Sequence, residues 1–446
     1  MAHIQKSDHK HHIYYGWVMV VVVALASFTQ SAETYPVMSV FLKPMTEEFG
    51  WSRSLFTGSL TIGTLLGGLI AIGTGRFIDR FGARWLLTVA FTIVGLTLFL
   101  LAFIDNLTQF YVLQIIGRSL AMGVIALALR TVIPKWFVVK RGKAVALSGL
   151  GIRLGNTVTP LYIQALVGVG GWRLATAASG IAVWILSLLP IAILFRRRPE
   201  DMGLLPDGIT SKELDARQKC IAGTSRAETT QLEVSFSLSQ VLHFPSFYLL
   251  AASFTLGFLV GPSLAFHMIP YLTDQEISVN TAVFVVAVWS GSAALGSLTL
   301  GYLLDRFSSR EILATDFLLI AIGIVALLAV HSAPAAILWG VYIGLVHGGM
   351  LLLQDVIFAN YYGRESIGTI RGVVWPVQMI TNAGGPLSAA MVYDATQSYV
   401  AIFLAFGIFS LCASVCAFLA HPPAAQTAAA FTAISQENHS LKPRRL

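Results

Sequence analysis

Arg118 and Arg153 stand in apolar runs, within QIIGRSLAMG and LSGLGIRLGN. Arginine keeps its charge and offers a planar fork of donors that grips a carboxylate through two parallel hydrogen bonds. Two such cations in apolar surroundings are suited to holding an anion. Arg118 has a second reading, an internal ion pair with Glu33, which falls at similar depth on a neighbouring stretch. Arg153 has no acid in its own stretch or in the neighbouring stretches of the first half, and a structural role is its alternative. Tyr35, Asn156, Gln354, Trp375, Gln378 and Asn382 are polar or amphipathic groups within apolar runs and could line the same space. Glu33 and His347 are proton candidates, because carboxyl and imidazole groups can change charge in a cavity. The plainer reading of His347, in VHGGM, is a hydrogen-bonded core residue.

A second feature is repeated. GRFIDRFGAR fills 75–84 and GYLLDRFSSR fills 301–310, although only 11% of the chain is charged. Arg80, Arg84, Arg306 and Arg310 could simply mark loop orientation. Asp79 and Asp305 fit that reading less well, because acids contribute little to orientation. The shift that overlays the two clusters sets Asp355 against Leu129, so Arg130 and Asp355 fall at nearly the same depth in opposite halves. A salt bridge between the halves is expected there; the alternative is that each pairs within its own half.

The elements that must carry these residues follow from composition. Of 446 residues 56% are hydrophobic, and the mean hydropathy is +0.73. Soluble domains are about a quarter charged, so a lipid environment is implied. Twelve apolar stretches long enough to cross a bilayer are read at 15–41, 54–74, 86–104, 108–133, 144–166, 174–195, 246–269, 280–303, 311–331, 335–359, 369–393 and 396–420. In lipid they must be helices, which predicts an all-α membrane protein. The first stretch reads as a retained helix and not as a targeting segment. Pro36 and Pro262 are expected to kink spans 1 and 7, and the GxxxG pairs are expected to pack helices closely.

The polar segments divide the chain into an N-terminal segment (1–14), a six-helix unit (15–195), a linker (196–240), a second six-helix unit (241–420) and a tail (421–446). Of the 29 Lys and Arg, Lys43, Arg53 and Arg173 fall in loops on one side and Arg118, Arg130 and Arg153 within spans. The other 23 share the side of the termini, which the positive-inside rule makes cytoplasmic. The net charge of +7 is thereby a topology signal and calls for no nucleic acid. A shift of 226 residues, from Gly75 to Gly301, also overlays Pro36 on Pro262, Pro44 on Pro270 and Pro160 on Pro386. The two units are therefore parallel repeats, an arrangement in which a binding site lies between halves near the midplane. Three cysteines and a histidine-bearing N-terminal segment indicate no metal or cofactor. No P-loop, HExxH or GxSxG pattern is present, which removes support for ATP-driven and common hydrolytic chemistry.

The two decapeptides resemble the loop 2–3 signature of the major facilitator superfamily and its degenerate loop 8–9 copy. Over all twelve spans the chain is similar to that superfamily. Within it the chain resembles the monocarboxylate transporter and oxalate–formate antiporter group, through YYGWVMV, SVFLKPMTEEFGWSRS, WFVVKRGKAVALSGLGIRLG, GWR at 171–173 and RRRPEDMGLLPDG. The resemblance implies a secondary carrier with a cavity lined by spans 1, 4, 7 and 10 and flanked by 2, 5, 8 and 11. It implies a gate in which Asp79 caps the start of span 11 and Asp305 that of span 5. It also gives Lys43 a part in proton or anion entry, with a snorkelling interfacial lysine as the alternative. The chain departs from the group in one respect. Characterised carriers of that kind have a basic residue on span 8, and the oxalate–formate antiporter adds one on span 11, whereas 280–303 and 372–393 carry no charge here.

The expectation is a monomeric carrier of a small organic anion, coupled to protons or working by exchange. Proton-coupled efflux of a neutral or amphipathic compound and a non-transporting receptor with a carrier fold are the rivals. An enzyme is not expected.

Overall fold

The computed structural model describes residues 14–137, 140–196, 199–202, 204, 236–304, 306–362 and 367–423. Among these, nine helical stretches are long and apolar enough to cross a bilayer. One of them, Lys143–Leu194, is two helices run together, because Gly170 and Gly171 leave helical geometry within it. Ser309–Leu327 and Ile367–Thr396 are further long helices. The total is twelve, matching the number read from the sequence.

The first unit comprises span 1 (Tyr15–Gln30 and Tyr35–Phe49), span 2 (Arg53–Phe81) and span 3 (Ala83–Leu101). Span 4 runs as Leu107–Leu120 and Ala126–Trp136 around a π turn at Ala121–Ile125. Spans 5 and 6 occupy 141–169 and 172–194. The second unit comprises span 7 (Pro245–Asp274), span 8 (Val279–Leu304) and span 9 (Ser309–Leu327). Span 10 is Ala333–His347 and Met350–Tyr362, span 11 Ile367–Thr396 and span 12 Val400–Leu419. The part of the linker that is described ends in a short helix, Leu238–Val241, closed by a capping box between Ser237 and Gln240.

The face that carries Tyr14 and the end of span 12 is called terminal here, and the opposite face distal. Several hydroxyls tie the terminal face together. Tyr14 donates to the Trp136 carbonyl, Tyr15 to that of Leu194, and Tyr361 to that of Ala420. Span 1 is interrupted near its middle. A 3-10 turn, Ser31–Glu33, leads to Thr34 in extended geometry (φ −85°, ψ 158°), and a new helix starts with Pro36 in its first turn. Proline is at home there because a first-turn residue needs no helical N–H bond. The kink expected at Pro36 is thus a break two residues earlier. At Pro262, by contrast, the helical run of span 7 is unbroken.

Small residues set the helix spacing. A Cβ on Gly151 would lie 2.0 Å from the Ala24 carbonyl oxygen, and one on Gly348 2.0 Å from that of Ala293. Spans 5 and 1 therefore meet backbone to backbone, as do spans 10 and 8. Across the molecule, span 2 packs on span 11, span 5 on span 8, and the distal segment of span 1 on span 7.

Overpacking of such a contact costs about 1–3 kcal/mol. Gly151→Leu should therefore lower the unfolding midpoint of the detergent-purified protein. Gly149→Ala, where an added Cβ meets nothing within 4 Å, should leave it unchanged. Equal midpoints for both variants would show that the 1–5 contact is not tight.

Candidate functional site

The break in span 1 exists in contact with Arg118. This side chain is only 1% exposed, and so is Glu33. Its Nε donates to Thr64 Oγ1 at 2.9 Å, one Nη donates to the backbone carbonyl of Glu33, and its guanidinium lies 4.1 Å from the Tyr35 ring centre. The Glu33 carboxylate makes no salt bridge with it; it accepts from Gln114 Nε2 at 3.0 Å and packs on Gly117. The structure therefore uses the main chain of Glu33, not its side chain, to hold the cation. Just beyond Arg118 the π turn widens span 4, and the Ala121 carbonyl accepts from Gln30 at 3.1 Å.

Arg153 is half-buried and makes no ion pair or side-chain hydrogen bond with a described residue. Its place follows from two neighbours on span 5. Asn156, about one turn further along, accepts from Thr34 at the break in span 1 (2.8 Å). Gln164, about three turns along on nearly the same face, donates to Asn280 of span 8 at 3.4 Å. Arg153 thus lies on the face that meets the other half, on the terminal side of that contact and next to the broken middle of span 1.

From the second half, Gln354 is buried, and Gln378 is 0% exposed with neither amide atom hydrogen-bonded. Trp375, one turn before Gln378, meets Phe258 edge-on at 6.0 Å. His347 ends the first segment of span 10; its Nε2 packs on Gly261 without a hydrogen-bond partner, and Trp289 stands edge-on at 6.0 Å. Asn382 contributes its carbonyl, which accepts from the Tyr35 hydroxyl at 3.2 Å.

On the distal side the halves are sewn together by charge. Lys43 Nζ lies 2.6 Å from Asp274, and Arg53 reaches both oxygens of the same carboxylate at 2.9 and 3.2 Å. Arg53 also donates to the Tyr399 hydroxyl at 2.6 Å and stacks on Tyr393 at 3.7 Å. His267 continues the chain. The Pro386 carbonyl can only accept, so Nε2 donates to it (2.8 Å) and Nδ1 accepts from Tyr399 (3.0 Å). Asp394 of span 11 accepts the backbone N–H groups of Arg53 (3.1 Å) and Ser54 (2.8 Å), while Ser52 caps that of Leu55. A carboxylate at a helix N-terminus is favoured by the donors and partial charge there. Beneath it Thr61 donates to the Ala383 carbonyl at 2.9 Å. A shallow depression of about 410 Å³, lined in part by Trp51, Arg53, Tyr393 and Asp394, opens on this surface. The side-chain hydrogen bonds and ion pairs between the halves named above belong to this distal side, from Gln164 and Tyr35 outward.

The expected terminal gate is described only in part. Asp305 lies outside the described residues, as do the side chains of Asp79, Arg80 and Asp355. Arg84 donates to the Ala192 carbonyl within its own half. Arg306 lies over Tyr302 at 4.5 Å and Arg310 over Phe418 at 5.4 Å. Arg130 is exposed and has no described partner.

The profile of the Major Facilitator Superfamily matches residues 19–386 and 264–445. The chain belongs to the major facilitator superfamily. Among its relatives is an uncharacterized MFS-type transporter, YcxA, of Bacillus subtilis (strain 168), 23% identical over 411 residues, 86% of this chain and 89% of that protein. Monocarboxylate transporter 12 of Rattus norvegicus is 25% identical over 282 residues, 61% of this chain and 57% of that protein. A crystal structure of a D-xylose–proton symporter superposes with a TM-score of 0.70 at 15% identity, covering 92% of this chain and 98% of that one. The fold is thus that of a secondary carrier, an integral multi-pass membrane protein that takes small molecules and is not an enzyme.

Several groups in this major facilitator protein were not singled out from the sequence. Asp274, Asp394 and Tyr399 are at span ends, where an acid reads as a loop residue. Arg53 reads from the sequence only as an orientation charge. The signal was available in pairs: Arg53 opens one span, and Asp274 and Asp394 close two spans on the same side. The GWR stretch has a structural use, since Trp172 and Arg173 both donate to Glu48.

Hydrogen bonds to charged groups are worth about 1.5–3 kcal/mol, roughly 10- to 100-fold in a two-state population. Asp274→Ala or Asp394→Ala should raise, by about that factor, the labelling of a Thr61→Cys reporter by an impermeant maleimide added on the distal side. Cys220, Cys412 and Cys416 are first replaced by Ser. Unchanged labelling in both variants would mean that these bonds do not hold the seam shut.

Proposed function

We propose that this carrier moves a small organic anion, monocarboxylate-like, across the cell membrane by alternating access, coupled to protons or to exchange. The observation that carries the reading is Arg153, a half-buried cation without a described partner, on the face of span 5 that looks to the other half. An unpaired guanidinium at membrane depth is costly and marks a functional site by default. Asn156, Gln354 and Gln378 would supply the remaining polar contacts. Arg118 would act from behind, holding the break of span 1 and Tyr35 in place. Glu33, Lys43 and His347 remain the proton-handling groups of this reading, and Lys43 would be freed for it when Asp274 is released.

The excess of Lys and Arg on the terminal face supports cytoplasmic termini. The bonded distal seam then supports reading this state as inward-facing, in a carrier that would work as a monomer. Opening to the outside would break the seam and close the terminal side, where Asp79, Asp305 and the Arg130–Asp355 pair would serve as the gate. A second reading has its own observation. The absence of charge along 280–303 and 372–393 leaves much of the second half's wall apolar or uncharged, as efflux of a neutral or amphipathic compound would need.

Arg153→Gln should raise the apparent KM for a radiolabelled monocarboxylate in proteoliposomes by roughly tenfold or more, given about 1.5–3 kcal/mol for a bond to a charged group. Arg153→Lys should retain part of the activity. A thermal-shift screen of mono- and dicarboxylates at two pH values identifies the anion to use. Unchanged kinetics in Arg153→Gln, or stabilisation by neutral amphiphiles alone, would remove the anion reading.

A further inference from the structure

Asp316 stands in span 9, within ILATDFLLIAI, and the gate and cleft described above make no use of it. It is 4% exposed, its Oδ2 is buried without a hydrogen-bond partner, and it forms no ion pair with a described residue. Its neighbours on the same buried side are Leu313, Phe317 and Ile320. An acid at such depth with no partner is costly in its charged form and calls for a function.

The groups around it do not neutralise it. On span 9, Arg310 lies over Phe418, and Glu311 is exposed where the helix begins. From span 10, the Tyr342 hydroxyl donates to the Leu319 carbonyl at 2.8 Å. His347 turns to Gly261, Tyr361 donates to the Ala420 carbonyl, and Tyr362 is bonded to Ser246. The titratable groups of span 12 are Cys412 and Cys416, and in span 8 Tyr302 lies beneath Arg306. Span 7 meets this helix through Phe254 and Gly257, against Phe317.

The register of spans 9 and 10 shows what Asp316 is beside. Trp339 donates to the Gly323 carbonyl at 2.7 Å, and Gly323 packs on Tyr342 and Ile343. The helices are antiparallel. About two turns towards the terminal face, Gly323 leads to Asp316 and Tyr342 leads to Gly349. Asp316 is therefore level with Gly348–Gly349, where the helix of span 10 is interrupted. His347 precedes that interruption and Gln354 follows it by about one turn.

We propose that Asp316 is a proton-binding site of the carrier, placed behind span 10 at its interruption and outside the substrate cleft. The proposal rests on the reading of the chain as a proton-coupled carrier. The close packing around it accommodates the uncharged acid. When span 10 bends at its two glycines and admits water, the carboxyl passes its proton to that water. When the packing closes again, the carboxylate must first take a proton back. Proton occupancy behind the helix is thereby tied to the position of His347 and Gln354 in front of it.

The test uses the full-length protein in nanodiscs with dicyclohexylcarbodiimide, which adds to protonated carboxyls in apolar surroundings and is located by peptide mass spectrometry. An adduct at Asp316 should form at acidic pH and fall as the pH is raised, because only the protonated carboxyl reacts. No adduct, or an equal yield at every pH, overturns the proposal, the latter showing a permanently protonated structural acid. In proteoliposomes Asp316→Asn should retain substrate exchange and lose uphill accumulation driven by a proton gradient. Retained accumulation also overturns it. If the unmodified protein moves no organic anion, the transport reading falls, while the adduct's pH profile still decides the role of Asp316.

Discussion

A guanidinium cation, Arg118, is enclosed in the first six-helix unit, and much of that unit's geometry answers it. Arg118 needs acceptors from backbone or side chains at a depth where helices have none to spare. The break at Ser31–Thr34 provides one, the Glu33 carbonyl, and Thr64 provides another. The same break turns Tyr35 onto the guanidinium and sends Thr34 to Asn156 on span 5. Tyr35 then reaches Asn382 in the other unit. One satisfied cation thus fixes the bend of span 1, the approach of span 5 and one point of contact between the halves.

The distal seam adds polar bonds to the apolar contacts, such as Phe56 on Phe266, by which the two bundles adhere. Its strongest element is geometric. The first two N–H groups of span 2 find a carboxylate from span 11, and Asp274 is shared by cations from span 1 and the start of span 2. Such bonds are made or lost as a set, because all ride on rigid helices. That is the property a two-position rocker needs: a discrete closed state and no stable half-open one.

The fold was largely legible. Twelve apolar stretches, the repeat and the glycine patterns are statements about composition and period, and lipid enforces them. The site was legible where a charge in an apolar run speaks for itself, as at Arg118 and Arg153. It was less so where the decisive atom is main chain. Nothing in the identity of Glu33 says that its carbonyl, and not its carboxylate, holds Arg118. Asp316 carries the same signal as Arg118, an ionisable group inside an apolar run, and is legible by the same rule. Asp394 belongs to a third kind: its meaning lies in helix-end donors, which have no letter in the sequence.

The capping of span 2 by Asp394 has a consequence for water. While the seam is closed, two main-chain amides, two carboxylates and an arginine are served by protein atoms. Once it parts, each must be served by solvent. Parting of the seam would therefore be a hydration step, and the closed and parted states would differ in the number of water molecules they bind. Excluded solutes, which favour the less hydrated surface, would pull the protein toward the state described here. In the proposed cycle, the resting position of the carrier would thus be set in part by the water activity on its distal side, apart from any gradient of cargo.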